Sequence, residues 1–152
     1  MKRLILAALV LAGLAACATS GRLTSAERLA LYRAHAGEEV RDFQYFGSLN
    51  GWTELGDRAL AVWTRPNQAY LLELTNPCLE LDYAPAISVT SMMGRVSARF
   101  DKVLVHGGPD SGVRLPCRIQ TIRPIDVKAL RSQEAKLREA RLAERAADDA
   151  AG

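Results

Sequence analysis

The spacing of hydrophobic and polar positions changes along the chain and divides it into four segments. Residues 1–16 carry two basic residues and then an unbroken apolar run, and residues 17–22 form a short link of small and polar residues. Residues 23–125 begin with helical spacing and continue with short apolar runs at strand spacing. Residues 126–152 are rich in charge and alanine. The pattern predicts a leader, a tether, one β-rich globular domain and a charged C-terminal helix.

A helix is predicted over residues 25–36, at the start of the globular domain. Thr24 and Glu27 fit a capping box, in which each side chain accepts from the other residue's backbone N–H. Gly37 follows, and glycine is common just beyond the last turn of a helix. One helical face collects the apolar side chains Leu29, Tyr32 and Ala36. We expect that face to pack on the sheet that follows.

From residue 42 to residue 124 the apolar spacing becomes that of strands separated by turn residues. The predicted strands lie near Phe43–Phe46, Trp52–Glu54, Ala59–Thr64, Ala69–Leu74, Ile87–Thr90, Val103–Val105 and Cys117–Ile122. The clearest hairpin has its turn at residues 65–68, because Pro66 occupies the position where turns favour proline. Another turn is expected at residues 55–58. The sequence therefore predicts an α+β fold, with a small antiparallel β-meander of about six strands in a curved sheet or small barrel.

The last segment, residues 126–152, is predicted to form a solvated helix. It holds six positive and six negative charges and no glycine or proline before Gly152. Val127 and Leu130 are expected to dock its first turn on the sheet. Leucine recurs once at heptad spacing, whereas a coiled coil needs three or four heptads, so self-association through this segment is the lesser alternative.

The chain has 152 residues, which corresponds to one domain, and 49% of them are apolar. Its 20 Lys and Arg residues exceed its 17 Asp and Glu residues by three. A surface dedicated to nucleic acid usually carries a larger basic excess, so no nucleic-acid partner is expected.

The first 16 residues have the pattern of a secretory signal peptide. Lys2 and Arg3 precede the apolar run Leu4–Ala12, and small residues follow it. The run is too short for a membrane-spanning helix, which needs about 20 apolar residues. A buried N-terminal helix is the alternative, but the basic start favours export.

The residues Leu14-Ala15-Ala16-Cys17 resemble the lipobox of bacterial lipoproteins. The resemblance implies cleavage before Cys17, a diacylglyceryl thioether on its sulfur and a third acyl chain on the freed amine. Two or more acyl chains give stable membrane anchoring. Ala18 is not the aspartate that retains such proteins at the inner membrane, so the outer membrane, facing the periplasm, is expected. Ordinary secretion with Cys17 as a free thiol is the alternative.

Two further cysteines, Cys78 and Cys117, are expected to form a structural disulfide. Export would place them in an oxidising compartment, and two thiols allow one intramolecular pairing. Each follows a proline, which is typical of the junction between a strand and a loop. A redox or metal site is the alternative, but the chain has no Cys-x-x-Cys spacing and only two histidines.

The sequence offers little catalytic chemistry. His106-Gly107-Gly108 is similar to the oxyanion loop of lipases and esterases, but the Gly-x-Ser-x-Gly elbow of those enzymes is missing. His35, near the predicted helix end, is a weaker candidate. Carboxylates available for acid–base chemistry are Glu54, Glu73, Glu80, Asp82 and Asp101, which we expect to be solvated. No catalytic residue, metal site or cofactor is therefore predicted.

From about residue 43 to residue 126 the chain resembles an uncharacterised family of small Gram-negative lipoproteins. The resemblance rests on Gly51-Trp52, Ala59–Trp63, Tyr70-Leu71-Leu72, Pro77-Cys78, Phe100-Asp101 and Cys117-x-Ile119-x-x-Ile122. It implies a lipoprotein domain of unknown function, a lipidated Cys17 and a Cys78–Cys117 disulfide. It implies no enzymatic or binding activity.

The function expected from the sequence is a non-catalytic periplasmic module, attached to the membrane by the acyl chains on Cys17 and binding an unidentified envelope protein. The first alternative is a small envelope hydrolase that uses carboxylates or His106. The second is a purely structural lipoprotein with no specific ligand. An exposed apolar surface would favour the first hypothesis, and a cleft joining His106 to carboxylates would favour the hydrolase.

Overall fold

A computed structural model describes residues 22–106 and 116–151. This part of the chain folds into two α-helices, eight strands and one 3₁₀ turn. The helices are α1 (Ser25–Ala34) and α2 (Val127–Ala151), and the 3₁₀ turn is Leu81–Tyr83. The strands are β1 (Asp42–Gln44), β2 (Gly51–Glu54), β3 (Ala59–Arg65), β4 (Gln68–Leu74), β5 (Ala86–Val89), β6 (Arg95–Ser97), β7 (Lys102–His106) and β8 (Cys117–Ile125).

Six strands form one antiparallel sheet in the order β2-β3-β4-β8-β7-β5. The predicted α+β class is confirmed. The sheet is open, so of the two expected forms the curved sheet is correct and the closed barrel is not. Strands β2, β3 and β4 follow one another as a meander, but β4 then pairs with β8. Strands β1 and β6 form a separate antiparallel ribbon, in which Phe43 lies opposite Val96.

The two faces of the sheet carry two separate cores. On one face, the ribbon covers buried sheet residues such as Leu60, Leu72 and Ile122, and Phe43 stacks on Tyr70 with ring centroids 4.4 Å apart. On the other face, the two helices cover small and medium side chains, including Ala61 and Leu71. Ala59, Ala61 and Ala69 supply the small side chains on this face. The molecule thus has three layers: helices, sheet and ribbon.

The capping box predicted for α1 is present, with Thr24 accepting from Glu27 N and Glu27 accepting from Thr24 N. The hydrogen bonds from the Thr24 backbone and hydroxyl, and more weakly the charge of Arg141, hold the pKa of Glu27 below its usual value. Tyr32 packs in the core, and this burial raises the pKa of its hydroxyl.

The predicted end of α1 is wrong by two residues, because the helix ends at Ala34 and His35 caps it. Gly37 is not the stop. Its N–H donates to Pro124 O at 2.8 Å, and a Cβ at this position would meet the Pro124 ring at 3.4 Å. Ala36 also forms a bridge to Ile125. The helix ends two residues earlier than predicted because Ala36 and Gly37 pair with the end of β8.

Helix α2 docks as predicted through its first turns, where Val127 and Leu130 are buried. Asp126 caps it by accepting from Ala129 N at 3.0 Å. Arg131 then donates to Pro66 O at 2.6 Å and lies over the Trp63 ring. Beyond this point the helix is exposed or half-buried.

Candidate functional site

The predicted lipidation site, Cys17, lies outside the residues that the structure describes, as does the glycine-rich turn expected at residues 107–112. Cys78 and Cys117 are described, and they form a disulfide with Cα atoms 5.5 Å apart. Cys78 is 1% exposed and belongs to the core under the ribbon. The bridge therefore fastens the segment after β4 to the start of β8.

His106 lies at the end of β7, and its Nε2 is 2.7 Å from the Ser88 hydroxyl on β5. Sequence spacing alone does not reveal this pair, because it depends on β5 and β7 being neighbours. Asp101 precedes the other end of β7, roughly 16 Å away at the usual rise of a strand. Glu54 ends β2, four strands away, which is roughly 19 Å. These two carboxylates therefore do not meet the histidine.

Three of the five candidate carboxylates, Glu54, Glu73 and Asp101, bind structural partners, contrary to the expectation that all are solvated. Glu54 accepts from Gly56 N at 2.5 Å and pairs with Arg28 at 3.2 Å. Glu73 pairs with Arg33 and accepts from the Thr121 hydroxyl. Glu80 and Asp82 are exposed. Among the residues described, no three His, Cys, Asp or Glu side chains are grouped to hold a metal ion.

Asp101 is the clearest departure from that expectation, since only 7% of it is exposed. It accepts from the Thr90 hydroxyl at 2.6 Å and from Ser97 N at 2.7 Å. Arg99, inside this turn, has φ 69°, a conformation that costs energy for a residue with a Cβ. The turn holds Phe100 outward with 82% of its surface exposed.

Strained backbone and exposed apolar side chains also meet at the other end of the ribbon. Met92 and Arg95 exchange two backbone hydrogen bonds of 3.0 Å, and the two residues between them have φ 52° (Met93) and 75° (Gly94). Positive φ at both central positions is the pattern of a type I′ turn, where asparagine is the usual first residue. Met93 is nonetheless 96% exposed and Met92 is 75% exposed.

We call the set Phe46, Met92, Met93 and Phe100 the ribbon surface. Phe46 is 64% exposed and lies under the Arg65 guanidinium, 5.6 Å from the ring centroid. Met92 and Met93 approach the same end, because Gly94 O accepts from Tyr45 N. Grouped exposed apolar residues with polar neighbours are typical of a site that binds another molecule; here Phe46, Met92 and Met93 are grouped at one end of the ribbon and Phe100 lies at the other. No single residue motif in the sequence identifies this surface.

The two tryptophans are packing residues rather than exposed platforms. Trp52 packs against the core under the ribbon, and Trp63 packs against the core under the helices. Trp63 Nε1 also donates to the Thr53 hydroxyl at 3.3 Å.

The N-terminal end and the Phe46 end of the domain are far apart. Ser25, at the start of α1, donates to Glu54 at 3.2 Å, beside the turn that precedes β3. Phe46 meets Arg65 at the last residue of β3. The seven residues of β3 span about 20 Å between these ends.

The family of unknown function DUF6491 matches residues 1–141, and the chain belongs to this family. No curated protein and no solved structure matches the chain. In the described part of the chain, no helix combines the length and apolar composition that a bilayer span requires. Because the function of this family is unknown, membership assigns no activity to the chain.

Proposed function

We propose that this protein is a non-catalytic lipoprotein of the cell envelope. In this proposal Cys17 carries the lipid, the chain is held at the outer membrane facing the periplasm, and the ribbon surface binds an envelope protein. The observation that carries the binding role is the exposure of Phe46, Met92, Met93 and Phe100 around the two-stranded ribbon.

The lipid anchor is supported by the chemistry of the N-terminus. The basic start, the short apolar run and the small residues before Cys17 meet the requirements of a lipoprotein leader. The family match begins at residue 1, so the leader and Cys17 belong to the matched region. The Cys78–Cys117 disulfide suits an oxidising compartment, where such bonds persist.

The binding role is supported by the strain at the two ends of the ribbon. Met93 and Arg99 have left-handed backbone conformations. The Met93 side chain is itself exposed next to Met92, and Arg99 directly precedes the exposed Phe100. Such strain is commonly retained where it serves a site. The strands between the two ends have three residues each, about 10 Å, so one interface of ordinary size covers both ends.

A protein partner fits this surface better than the membrane does. The Phe46 and Met93 end lies about 20 Å from the N-terminal end along β3, so a domain tethered at Cys17 presents it to the periplasm. Charged groups border the apolar side chains, including the Arg95–Asp42 pair and Arg65. An apolar centre with a polar rim is the usual anatomy of a protein interface.

The Ser88–His106 contact favours the second candidate, a small hydrolase with a serine nucleophile. The His106 ring is exposed at a strand end, and neither residue lines a described cavity. Labelling of purified protein by a fluorophosphonate, lost in Ser88→Ala, would support the hydrolase. No labelling of the wild type would contradict the hydrolase.

The variant Met93→Asn separates a binding role from a structural one. Asparagine tolerates the left-handed conformation better than methionine, so we expect the free energy of unfolding to rise by about 0.5–1 kcal/mol. The same change removes an exposed apolar side chain. Photocrosslinking in cells, from a photoreactive residue placed at Phe100, should then yield about five- to ten-fold less product with one specific envelope protein.

A photoreactive residue at Tyr83 is the matched control, because this aromatic residue is 86% exposed and lies on the 3₁₀ turn, outside both strands of the ribbon. It should not crosslink to the same protein. Equal crosslinking from Phe100 and Tyr83, or an unchanged yield in the more stable Met93→Asn variant, would contradict the binding role and favour a purely structural lipoprotein.

A further inference from the structure

We propose that a groove between the N-terminal residues and α2 binds the phosphate headgroup of an anionic phospholipid. This inference rests on the lipid anchor of the proposed function, because the bilayer that holds Cys17 would supply the headgroup. We call this site the proximal groove. It has a volume of about 390 Å³ and lies where α2 passes the start of α1.

The charge of the proximal groove is strongly basic. Five arginines line it against one acidic residue, Glu134: they are Arg22, Arg28, Arg138, Arg141 and Arg145. The whole chain has an excess of only three positive charges, so the residues outside the groove are almost balanced, with 15 basic against 16 acidic side chains. Guanidinium groups bind phosphate oxygens in bidentate geometry, which makes arginine the preferred residue for such ligands.

Some of this charge has protein partners. Arg28 pairs with Glu54 at 3.2 Å, and Glu27, which is bonded within the capping box, lies within electrostatic reach of Arg141. Arg22, Arg138 and Arg145 also line the groove. The positive charge lining the groove remains larger than the negative charge that faces it.

Apolar side chains share the groove with the arginines. Leu23 and Leu137 line it, and Leu142 lines it with 58% of its surface exposed. A site for a soluble anion does not need exposed leucine, whereas the boundary between headgroups and acyl chains accommodates both kinds of side chain. The mixture therefore favours a lipid over free phosphate.

The position of the groove is the second reason for choosing a lipid. Arg22 is five residues beyond Cys17, and five residues reach at most about 18 Å when fully extended. A groove lined by Arg22 and Leu23 is therefore held within that reach of the membrane surface. A basic patch beside an acyl anchor is a known way to strengthen and orient attachment to anionic membranes.

Titration calorimetry tests the proposal on the full chain, purified in a neutral detergent. We expect dihexanoyl-phosphatidylglycerol to bind at one saturable site, and dihexanoyl-phosphatidylcholine and inorganic phosphate to bind at least ten-fold more weakly. The double variant Arg138→Gln/Arg145→Gln should weaken phosphatidylglycerol binding by about thirty-fold, because each basic residue near an anionic headgroup contributes roughly a factor of five.

The double variant Lys128→Gln/Lys136→Gln is the matched control, since it removes the same charge from the same helix outside the groove. It should change the affinity less than two-fold. Equal losses in both variants, phosphate binding as tightly as the lipid, or no lipid binding would each overturn the proposal. None of these readouts depends on acylation of Cys17, so failure here is distinguishable from failure of the lipid anchor.

Discussion

Replacing both Cys78 and Cys117 with alanine is expected to lower the free energy of unfolding by about 4 kcal/mol. The disulfide closes a loop with a sequence separation of 39, and the chain-entropy model gives this value for a loop of that size. A domain of this size has roughly 5–15 kcal/mol of total stability, so the loss would be a large share of it. Cys78 is also fully packed in the core under the ribbon.

Urea unfolding of the wild type, with and without a reducing agent, and of the double variant measures this effect. Reduction should destabilise the wild type by a similar amount and leave the variant unchanged. A loss below about 1 kcal/mol, or two titratable thiols from Cys78 and Cys117 in folded wild-type protein purified without a reducing agent, would contradict a stabilising disulfide.

Leu130→Ala is expected to lower the free energy of unfolding by about 2–5 kcal/mol, as for other fully buried leucines. Leu130 has no exposed surface and packs with Tyr32 and Leu71 in the core under the helices. The change would leave a cavity where α2 meets the sheet, because α2 buries only Val127 and Leu130.

Leu142→Ala on the same helix is the matched control, because the side chain is 58% exposed. Its effect on stability should stay within about 0.5 kcal/mol. Equal destabilisation by the two variants in denaturant unfolding would show that α2 is held along its length rather than by its first turns.

Local signals predicted much of this fold. The hairpin of β3 and β4 follows from alternating side chains and a proline turn, which are features of neighbouring residues. The capping box of α1 and the docking of Val127 and Leu130 follow from patterns within one or two helical turns. These predictions succeed because each depends on interactions close in sequence.

Features set by distant residues were not predicted. Strand β6 has three residues and one buried side chain, Val96, so it carries almost no periodic signal, and it is a strand because it pairs with β1. The pairing of β4 with β8 joins segments about 50 residues apart. Asp101 is buried because Thr90 and Ser97 supply donors that only the folded chain brings together.

The candidate sites also differ in how far the sequence alone predicts them. The proposed lipidation site, Cys17, is identified by the lipobox-like residues before it, without any knowledge of the fold. The ribbon surface has no motif, because the exposure of Phe100 and Met93 is decided by turns that aim them outward. The nearest sequence signal is Met93-Gly94, a turn dipeptide with an apolar residue where asparagine is common. The proximal groove likewise requires α2 to fold back beside Arg22.

Intact-mass and peptide mass spectrometry of the protein from bacterial membranes tests the central claim most directly. We predict a mature chain that begins at Cys17 and carries a diacylglyceryl group on its sulfur and an acyl chain on its amine. Cys17→Ser should abolish this modification and the membrane attachment that depends on it. A wild-type chain that begins at any other residue, or a free thiol at Cys17, would contradict the lipoprotein assignment.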